Sequence, residues 1–489
     1  MMGCYVRTVL LLMVLSWTAL SASAEALQLA VVVDVSGSMR HNDPDHARLR
    51  ALRLLLHLLP AASEVSLWRF AAHPQRLWSS TSWSAGQLPQ ALQSLQAIDE
   101  HGAWTDIDAA LQVALQDLAR RAAPRRHLVL LTDGYIELGQ GPAADATSRA
   151  RVWQQDLDLA RRLGVHMHTL GLGGAADEPL LRHLALGSGG RFLAVDSHDL
   201  SAALMQILDV AAPAQHLPVQ GRAFSVDDQV GAMTLLWLGR QRPVGHLIDP
   251  QGHRWSRQEH PASVLWENET DYELVEVRKP AAGVWHLDAD LSGNDRLSVL
   301  SDLALQVTGL PANVAENSQP ELDISLHDAH GVVLDSALLE HCRLRRDSGR
   351  PGQLLEQELL YDGPQQGSVM IPEDGHFKDT LPRQPQAGDT ILRYTLQCGA
   401  FAREFDQVLH VTAHPGELPP PVSPSVAPKP AAQVAARHRA LWPWLLGGLA
   451  ALLLSALAAA LAYVLWRKRS LRLAAAAEAQ PRHEDEGPP

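Results

Sequence analysis

Cysteine is scarce: three residues in 489, at positions 4, 342 and 398. That excludes a small disulfide-stapled scaffold, and it excludes a thiolate-rich zinc module, because both need closely spaced cysteines. No Lys/Arg run long enough to suggest a basic patch precedes the C-terminal region, and 54 acidic against 41 basic residues give a formal charge of −13. Such a field repels phosphates, so a nucleic-acid binder is disfavoured. No HExxH, GxSxG or P-loop occurs, and no paired carboxylates for a second metal are evident. The usual hydrolase and nucleotide-binding signatures are therefore missing. No internal repeat is visible either.

What is present divides the chain. Its length exceeds what one core supports, and two to four domains are expected. At the start, Arg7 precedes an apolar stretch, Thr8 to Leu20, followed by the small-x-small pattern Ala22-Ser23-Ala24. This reads as a signal peptide over 1–24, with an uncleaved anchor as the alternative. Near the other end, 441–466 is long and apolar enough for one transmembrane helix, with Trp442, Trp444 and Trp466 at its ends. Arg467, Lys468, Arg469 and Arg472 follow it, against Arg437 and Arg439 before it. The positive-inside rule then makes 467–489 a cytoplasmic tail and the protein single-pass type I. A sorting tail that is cut and replaced is the alternative, but no LPxTG precedes the segment. The expected location is the inner membrane, with the ectodomain in the periplasm or at the cell surface. The Ala/Leu/Arg bias points to a GC-rich bacterium.

Between these ends the texture changes twice. Residues 26–210 alternate short apolar runs such as Leu27–Val33 and Leu128–Leu131 with amphipathic helical stretches. Strands apolar on both faces, alternating with helices, predict a Rossmann-like, doubly wound α/β domain with a mainly parallel sheet. Helices are expected near 47–59, 88–98, 106–121, 149–163, 178–186 and 201–210. From 215 onward short strands separated by Gly, Asn, Asp and Pro predict a β-rich domain over 215–310 and a β-sandwich (Ig-like) domain over 311–412. Residues 413–436 read as a Pro-rich linker. Cys342 and Cys398 both fall in the last β domain. A disulfide between them would contribute about 4 kcal/mol by chain entropy, and two unpaired buried thiols are the alternative.

Three separated segments carry the chemistry. The first strand runs into Asp34-Val35-Ser36-Gly37-Ser38, Gly102-Ala103-Trp104-Thr105-Asp106 opens a long helix, and a later strand ends in Thr132-Asp133-Gly134. In an open α/β sheet, loops at the carboxyl ends of adjacent strands converge on one crevice. Asp34, Ser36, Ser38, Thr105 and Asp133 are two carboxylates and three hydroxyls, an all-oxygen set suited to a hard cation. Neutral hydroxyls fill coordination positions without cancelling the metal's charge.

This DxSxS…T…D arrangement resembles the metal-ion-dependent adhesion site of von Willebrand factor A-type domains, in kind, order and spacing. The resemblance covers roughly the first two-fifths of the chain, and the α/β alternation agrees with that family's fold. It implies that Ser36, Ser38 and Thr105 ligate Mg²⁺ (or Mn²⁺ or Ca²⁺) through their hydroxyls. Asp34 and Asp133 would act directly or through water, and a partner's Glu or Asp would complete the shell. Pro280-Ala281-Ala282-Gly283-Val284-Trp285 resembles a strand start of β-rich regions that follow such domains in bacterial surface proteins.

Trp104 is a candidate partner-binding residue, with packing beneath the loop as the alternative. Asp106 and Asp108 are expected to favour the helix N-terminus rather than bind metal. His41 and His101 fall in nearby loops. The resulting expectation is a membrane-tethered binding or adhesion protein, not an enzyme, that grips an acidic residue of a protein partner through metal. The alternatives are a structural subunit of an envelope complex assembled without metal regulation, and a metal-dependent hydrolase. The oligomeric state is left open.

Overall fold

The computed structural model describes residues 27–412, except 100, 122, 124, 175, 240–244, 292–294, 329, 352, 354, 361–364, 367–368, 371–374 and 400. The expected signal peptide (1–24), linker (413–436), membrane helix (441–466) and tail (467–489) lie outside the described residues. Among the described residues no helix is long and apolar enough to cross a membrane.

Strand β1 (Leu27–Asp34) reads LQLAVVVD and is buried at every position. It is followed by β2 (Glu64–Phe70), β3 (Gln75–Ser80), β4 (Arg125–Thr132), β5 (Val165–Leu172) and β6 (Phe192–Val195). These form one sheet in the order β3-β2-β1-β4-β5-β6. All pairings are parallel except that of β2 with β3. Side chains alternate across a strand, so an all-apolar strand needs a core on each face. Leu29, Val31 and Val33 accordingly enter one core with Val129 and Leu131, while Ala30 and Val32 enter another with Leu128 and Leu130.

Helices α1 (Ala47–Leu58), α2 (Leu88–Ser94), α3 (Ile107–Leu118), α4 (Pro142–Arg151), α5 (Leu157–Leu163), α6 (Glu178–Ser188) and α7 (Leu200–Ala211) supply the covering layers. Helices α1, α2 and α7 close the first core, and α3, α5 and α6 the second. The doubly wound α/β domain is thus present with a mainly parallel sheet.

Two local features differ from expectation. Strand β3 was not anticipated: it is an antiparallel edge strand whose residues are mostly exposed or half-buried, so it lacks an apolar run. The helix expected from 149 instead starts at Pro142, behind Gly141, and passes into α5 through a π-helical turn, Val152–Asp156. Proline suits a first helical position because its missing N–H is unpaired there anyway.

That π turn buries Asp156 completely, where it accepts a hydrogen bond from the Gln112 amide. Burial, reinforced by the nearby Asp108 charge, pushes its carboxyl up to about 7.

The rest is strand-rich. One continuous ten-stranded sheet contains, side by side, Val264–Asn268, Tyr272–Arg278, Val230–Leu238, Arg296–Ser301, Gln215–His216, Phe401–Thr412, Gly388–Cys398, Cys342–Gly349 and Glu356–Leu360. Asn313–Ala315 pairs with Phe401–Thr412 to complete it. Two smaller sheets cover its two ends. Arg254–Trp255, Leu247–Ile248, Gly283–Leu287 and Ala223–Val226 enclose a core built on Trp237 and Trp285. Ala304–Thr308, Glu321–Asp328, Gly331–Val332 and His376–Thr380 enclose one built on Phe377 and Tyr394. Ala304–Thr308 pairs with Glu321–Asp328, so it belongs to the second of these cores. Cys342 and Cys398 face each other across two antiparallel strands and form a disulfide.

The α/β domain is fastened to this region through α1 and α7. Leu236, Tyr272 and Leu274 share a core with both helices. Asp271 accepts from Arg50 at 2.8 Å and from the Ser201 hydroxyl at 2.5 Å, while His57 lies 3.1 Å from Glu267 and Arg53 3.2 Å from Glu269.

Asp156 sets a pH dependence. Its folded carboxyl titrates well above its ordinary range, so the native state holds a proton that the unfolded chain releases. Stability from this source is full in acid and is lost as pH rises from about 4 through about 7. Asp156→Asn should therefore raise the melting temperature at pH 8, by on the order of 2 kcal/mol of stability, and change it little at about pH 3.5, below the unfolded carboxyl's own titration. Thermal melts at the two pH values check this, and equal destabilisation at both would contradict it.

Candidate functional site

The site follows from one pairing. Strand β1 runs parallel to β4 with Val33 opposite Leu131, so the residues just beyond both strands emerge side by side. The chain leaves β1 toward β2 and β3 and returns on the other side to β4. The crevice between β1 and β4 is thus a topological switch point, where open α/β sheets bind ligands.

Backbone bonds knit the segment Gly102-Ala103-Trp104-Thr105-Asp106 to the other two loops. Gly37 N–H donates to the Gly102 carbonyl at 2.9 Å, and Gly102 N–H donates to the Val35 carbonyl at 3.0 Å. A methyl on Gly102 would lie 2.3 Å from the Ala71 Cβ and 2.7 Å from the Val35 carbonyl oxygen, so glycine is required for this close approach. Three residues on, Thr105 and Glu137 exchange backbone bonds of 2.7 and 3.0 Å.

The side chains then meet. Asp34 is fully buried; one oxygen accepts from the Ser36 N–H at 2.8 Å and the other from the Thr132 hydroxyl at 2.6 Å. Burial raises its carboxyl to about 6, against these hydrogen bonds, and the Asp133 charge adds to the rise. The Ser36 and Ser38 hydroxyl oxygens are 3.0 Å apart, and Ser38 donates to Asp133 at 2.8 Å. The other Asp133 oxygen accepts from the Asn42 amide at 2.8 Å. A methyl built on Gly134 would stand 3.9 Å from both the Ser38 and the Thr105 hydroxyl oxygens. All five expected side chains are therefore gathered around one point, with Ser38 exposed and the other four buried.

The donor set fits a hard divalent cation. Every group offered is oxygen, and both carboxylates are served by neutral donors, which leaves their negative charge available to a cation. Among the described residues no group of three or more His, Cys, Asp or Glu side chains is gathered as metal ligands. Here two carboxylates are supplemented by hydroxyls.

Neighbouring acids have other tasks. Asp106 caps α3 by accepting from the Ala109 N–H at 3.0 Å, and Asp108 accepts from Arg151 at 2.6 Å. Asp43, fully buried, accepts from the Ala47 and Arg48 amides and pairs with the Arg48 guanidinium at 2.8 Å, which fixes the start of α1. His41 is exposed, and His101 lies 3.8 Å from Asp99. Trp104 is 46% exposed and adopts a left-handed backbone with φ of 66°. Its ring rests on Gly139, where an added methyl would approach the indole to 2.3 Å.

Sequence reasoning missed Asn42 and Thr132, which position the two carboxylates, and Tyr135, which is 59% exposed beside the site. Thr132 adjoins Asp133 and could have been flagged. Asn42 acquires its role through the short helical turn Met39–Asn42, which carries no apolar periodicity.

An open, doubly wound α/β sheet with an oxygen-rich cluster at its switch point defines the class of domain. Residues 28–208 match the family model of the von Willebrand factor type A domain, and this part of the chain is such a domain. Among solved structures, a von Willebrand factor type A protein from Catenulispora acidiphila is 15% identical, with 64% of this chain and 65% of that one covered and a TM-score of 0.33. An aerotolerance-related membrane protein from Bacteroides fragilis is 18% identical over 38% of this chain and 98% of its own, with a TM-score of 0.30. Proximal thread matrix protein 1 from the mussel byssus, with a zinc-occupied MIDAS motif, is 16% identical over 42% and 50%, with a TM-score of 0.30. No curated protein matches the chain.

The seat beneath Trp104 can be tested against a glycine of similar backbone. Gly139 and Gly164 have φ of 72° and 64°, but a methyl on Gly164 meets nothing within 4 Å. Gly139→Ala should lower stability by about 1–2 kcal/mol more than Gly164→Ala, since overpacking adds to the shared φ strain. Equal melting temperatures for the two variants would refute the packing of the indole on Gly139.

Proposed function

We propose that this chain is a membrane-tethered, extracytoplasmic binding protein whose von Willebrand factor type A domain holds one divalent cation and uses it to capture a carboxylate of a protein partner. The carrying observation is the convergence of two carboxylates and three hydroxyls from three chain segments at the open end of the switch point. Ser36, Ser38 and Thr105 would ligate through hydroxyls, and Asp34 and Asp133 directly or through water. Magnesium suits this set best, with manganese or calcium as substitutes. Bound there, the ion would supply Lewis acidity toward an incoming Glu or Asp.

The chain's own residues prepare that encounter. Thr132 and Ser36 hold Asp34 in a dry position, Asn42 and Ser38 orient Asp133, and Ser38 stands at the solvent opening. The tether rests on the sequence: the signal-peptide pattern, the apolar segment 441–466 and the basic residues after it. The absence of hydrolase motifs from the sequence favours binding over turnover.

Mg²⁺ or Mn²⁺ should raise the melting temperature of the full chain, by about 2.7 kcal/mol of stability at a hundredfold excess over Kd, and EDTA should reverse it. Asp34→Ala and Thr105→Ala should lose the response. Partner capture from the native envelope should disappear with EDTA. Capture that is unchanged in EDTA would favour a structural subunit, and metal-dependent turnover of peptide or phosphoester substrates would favour a hydrolase.

A further inference from the structure

Among the described residues, the large exposed hydrophobics are Trp104, Tyr135, Val284, Leu300, Leu334 and Leu359. The four aliphatic ones belong to the strand-rich region. The two aromatic ones both border the cation site: Trp104 is the chain neighbour of Thr105, and Tyr135 follows Asp133-Gly134. The backbone bonds between Thr105 and Glu137 draw the two loops together, so both aromatics are carried on loops that adjoin Ser38, Gly134 and Thr105.

Neither position is explained by core packing. Trp104 leaves nearly half its surface in water and holds a left-handed backbone, which is uncommon for a residue with a bulky side chain. Such strain persists where the surroundings over-determine it, and it clusters at ligand clamps. Here Gly139 fixes the ring from beneath, so little side-chain entropy remains to be lost when the upper face is covered. Tyr135 is more exposed still, while the next residue, Ile136, is buried in the core and anchors the loop. Large, half-fixed aromatics beside a polar centre are the typical composition of an interface hot spot.

We propose that Trp104 and Tyr135 form an aromatic rim around the cation site, and that this rim selects the partner. The segment recognised is an acidic side chain with a large apolar residue within two positions of it. The carboxylate goes to the cation, and the apolar group covers the indole and phenol rings. This rests on the divalent-cation reading of the site and adds to it a preference about the residues beside the acid. The charge match is between the partner's carboxylate and the cation. The rim adds the apolar area that a single carboxylate cannot provide.

The test uses the full chain in detergent with Mn²⁺ and a displayed library of random heptapeptides. Enriched sequences should combine Asp or Glu with Phe, Trp, Leu or Ile no more than two residues away, and EDTA should release them. In fluorescence polarisation with one enriched peptide, Trp104→Ala and Tyr135→Ala should each weaken binding by about tenfold or more, while Trp104→Phe and Tyr135→Phe retain most of it. Replacing the peptide's apolar residue by Ser should cost a similar factor without touching the protein's fold. Mn²⁺ uptake, followed by electron paramagnetic resonance, should be unchanged in all four rim variants. Enriched peptides whose acid lies among Gly and polar residues would overturn the inference. So would unchanged affinity in both alanine variants, or a library yielding no Mn²⁺-dependent sequence. Each leaves the cation site standing if Mn²⁺ is still bound. Failure of the unmutated chain to take up Mn²⁺ would instead remove the cation reading, and the rim proposal with it.

Discussion

The parallel register between β1 and β4 is the constraint on which the rest depends. It sets the end of one strand beside the end of the other, so that the Thr132 hydroxyl reaches Asp34 at 2.6 Å within a fully buried environment. A carboxylate in such a place is costly unless its oxygens are served. The N–H of Ser36 and the hydroxyl of Thr132 serve both, without introducing a positive charge that would compete with a cation. Register itself is specified by burial on both faces. A slip of one residue would exchange the side chains of β1 between the two cores. The geometry of the site is thereby enforced by apolar residues that never touch it.

The same loop that carries the serines also starts α1. Asp43, one residue beyond Asn42, caps that helix and pairs with Arg48. Further along, Arg50 reaches Asp271 in the strand-rich region, which also accepts from Ser201 of α7. Loop, helix and strand-rich region are consequently one chain of packed and hydrogen-bonded contacts. The outer face of α1 is not left to solvent: Leu236, Tyr272 and Leu274 contribute to the core it closes.

Much of this was legible in the sequence, for physical reasons that can be named. Leu27–Val33 and Leu128–Leu131 announced a doubly covered sheet because apolar residues on both faces leave few other options. The three site segments could be placed together because each lies at a strand end or a helix start. Asp106 was rightly assigned to the N-terminus of α3. What escaped notice depends on distant partners. Strand β3 has Leu77 and Trp78 half-buried in succession between exposed polar residues, and its buried end is a serine, Ser80, so no apolar alternation marks it. Asn42 matters through a contact 91 positions away. Asp156 looks like an ordinary helical acid until the π turn buries it. The continuity of the large sheet hinges on Gln215–His216, two residues that pair with Ser298–Val299 on one side and Glu404 on the other. A strand that short leaves no pattern to read.

The central claim is that Asp34, Ser36, Ser38, Thr105 and Asp133 enclose a single divalent cation. An anomalous-difference map at the manganese edge, from crystals of the chain grown in Mn²⁺, tests it most directly. The account predicts one peak bounded by the three hydroxyls and the two carboxylates, with a coordination position facing solvent beside Ser38. A map with no peak there, or with manganese held by other residues, would contradict it.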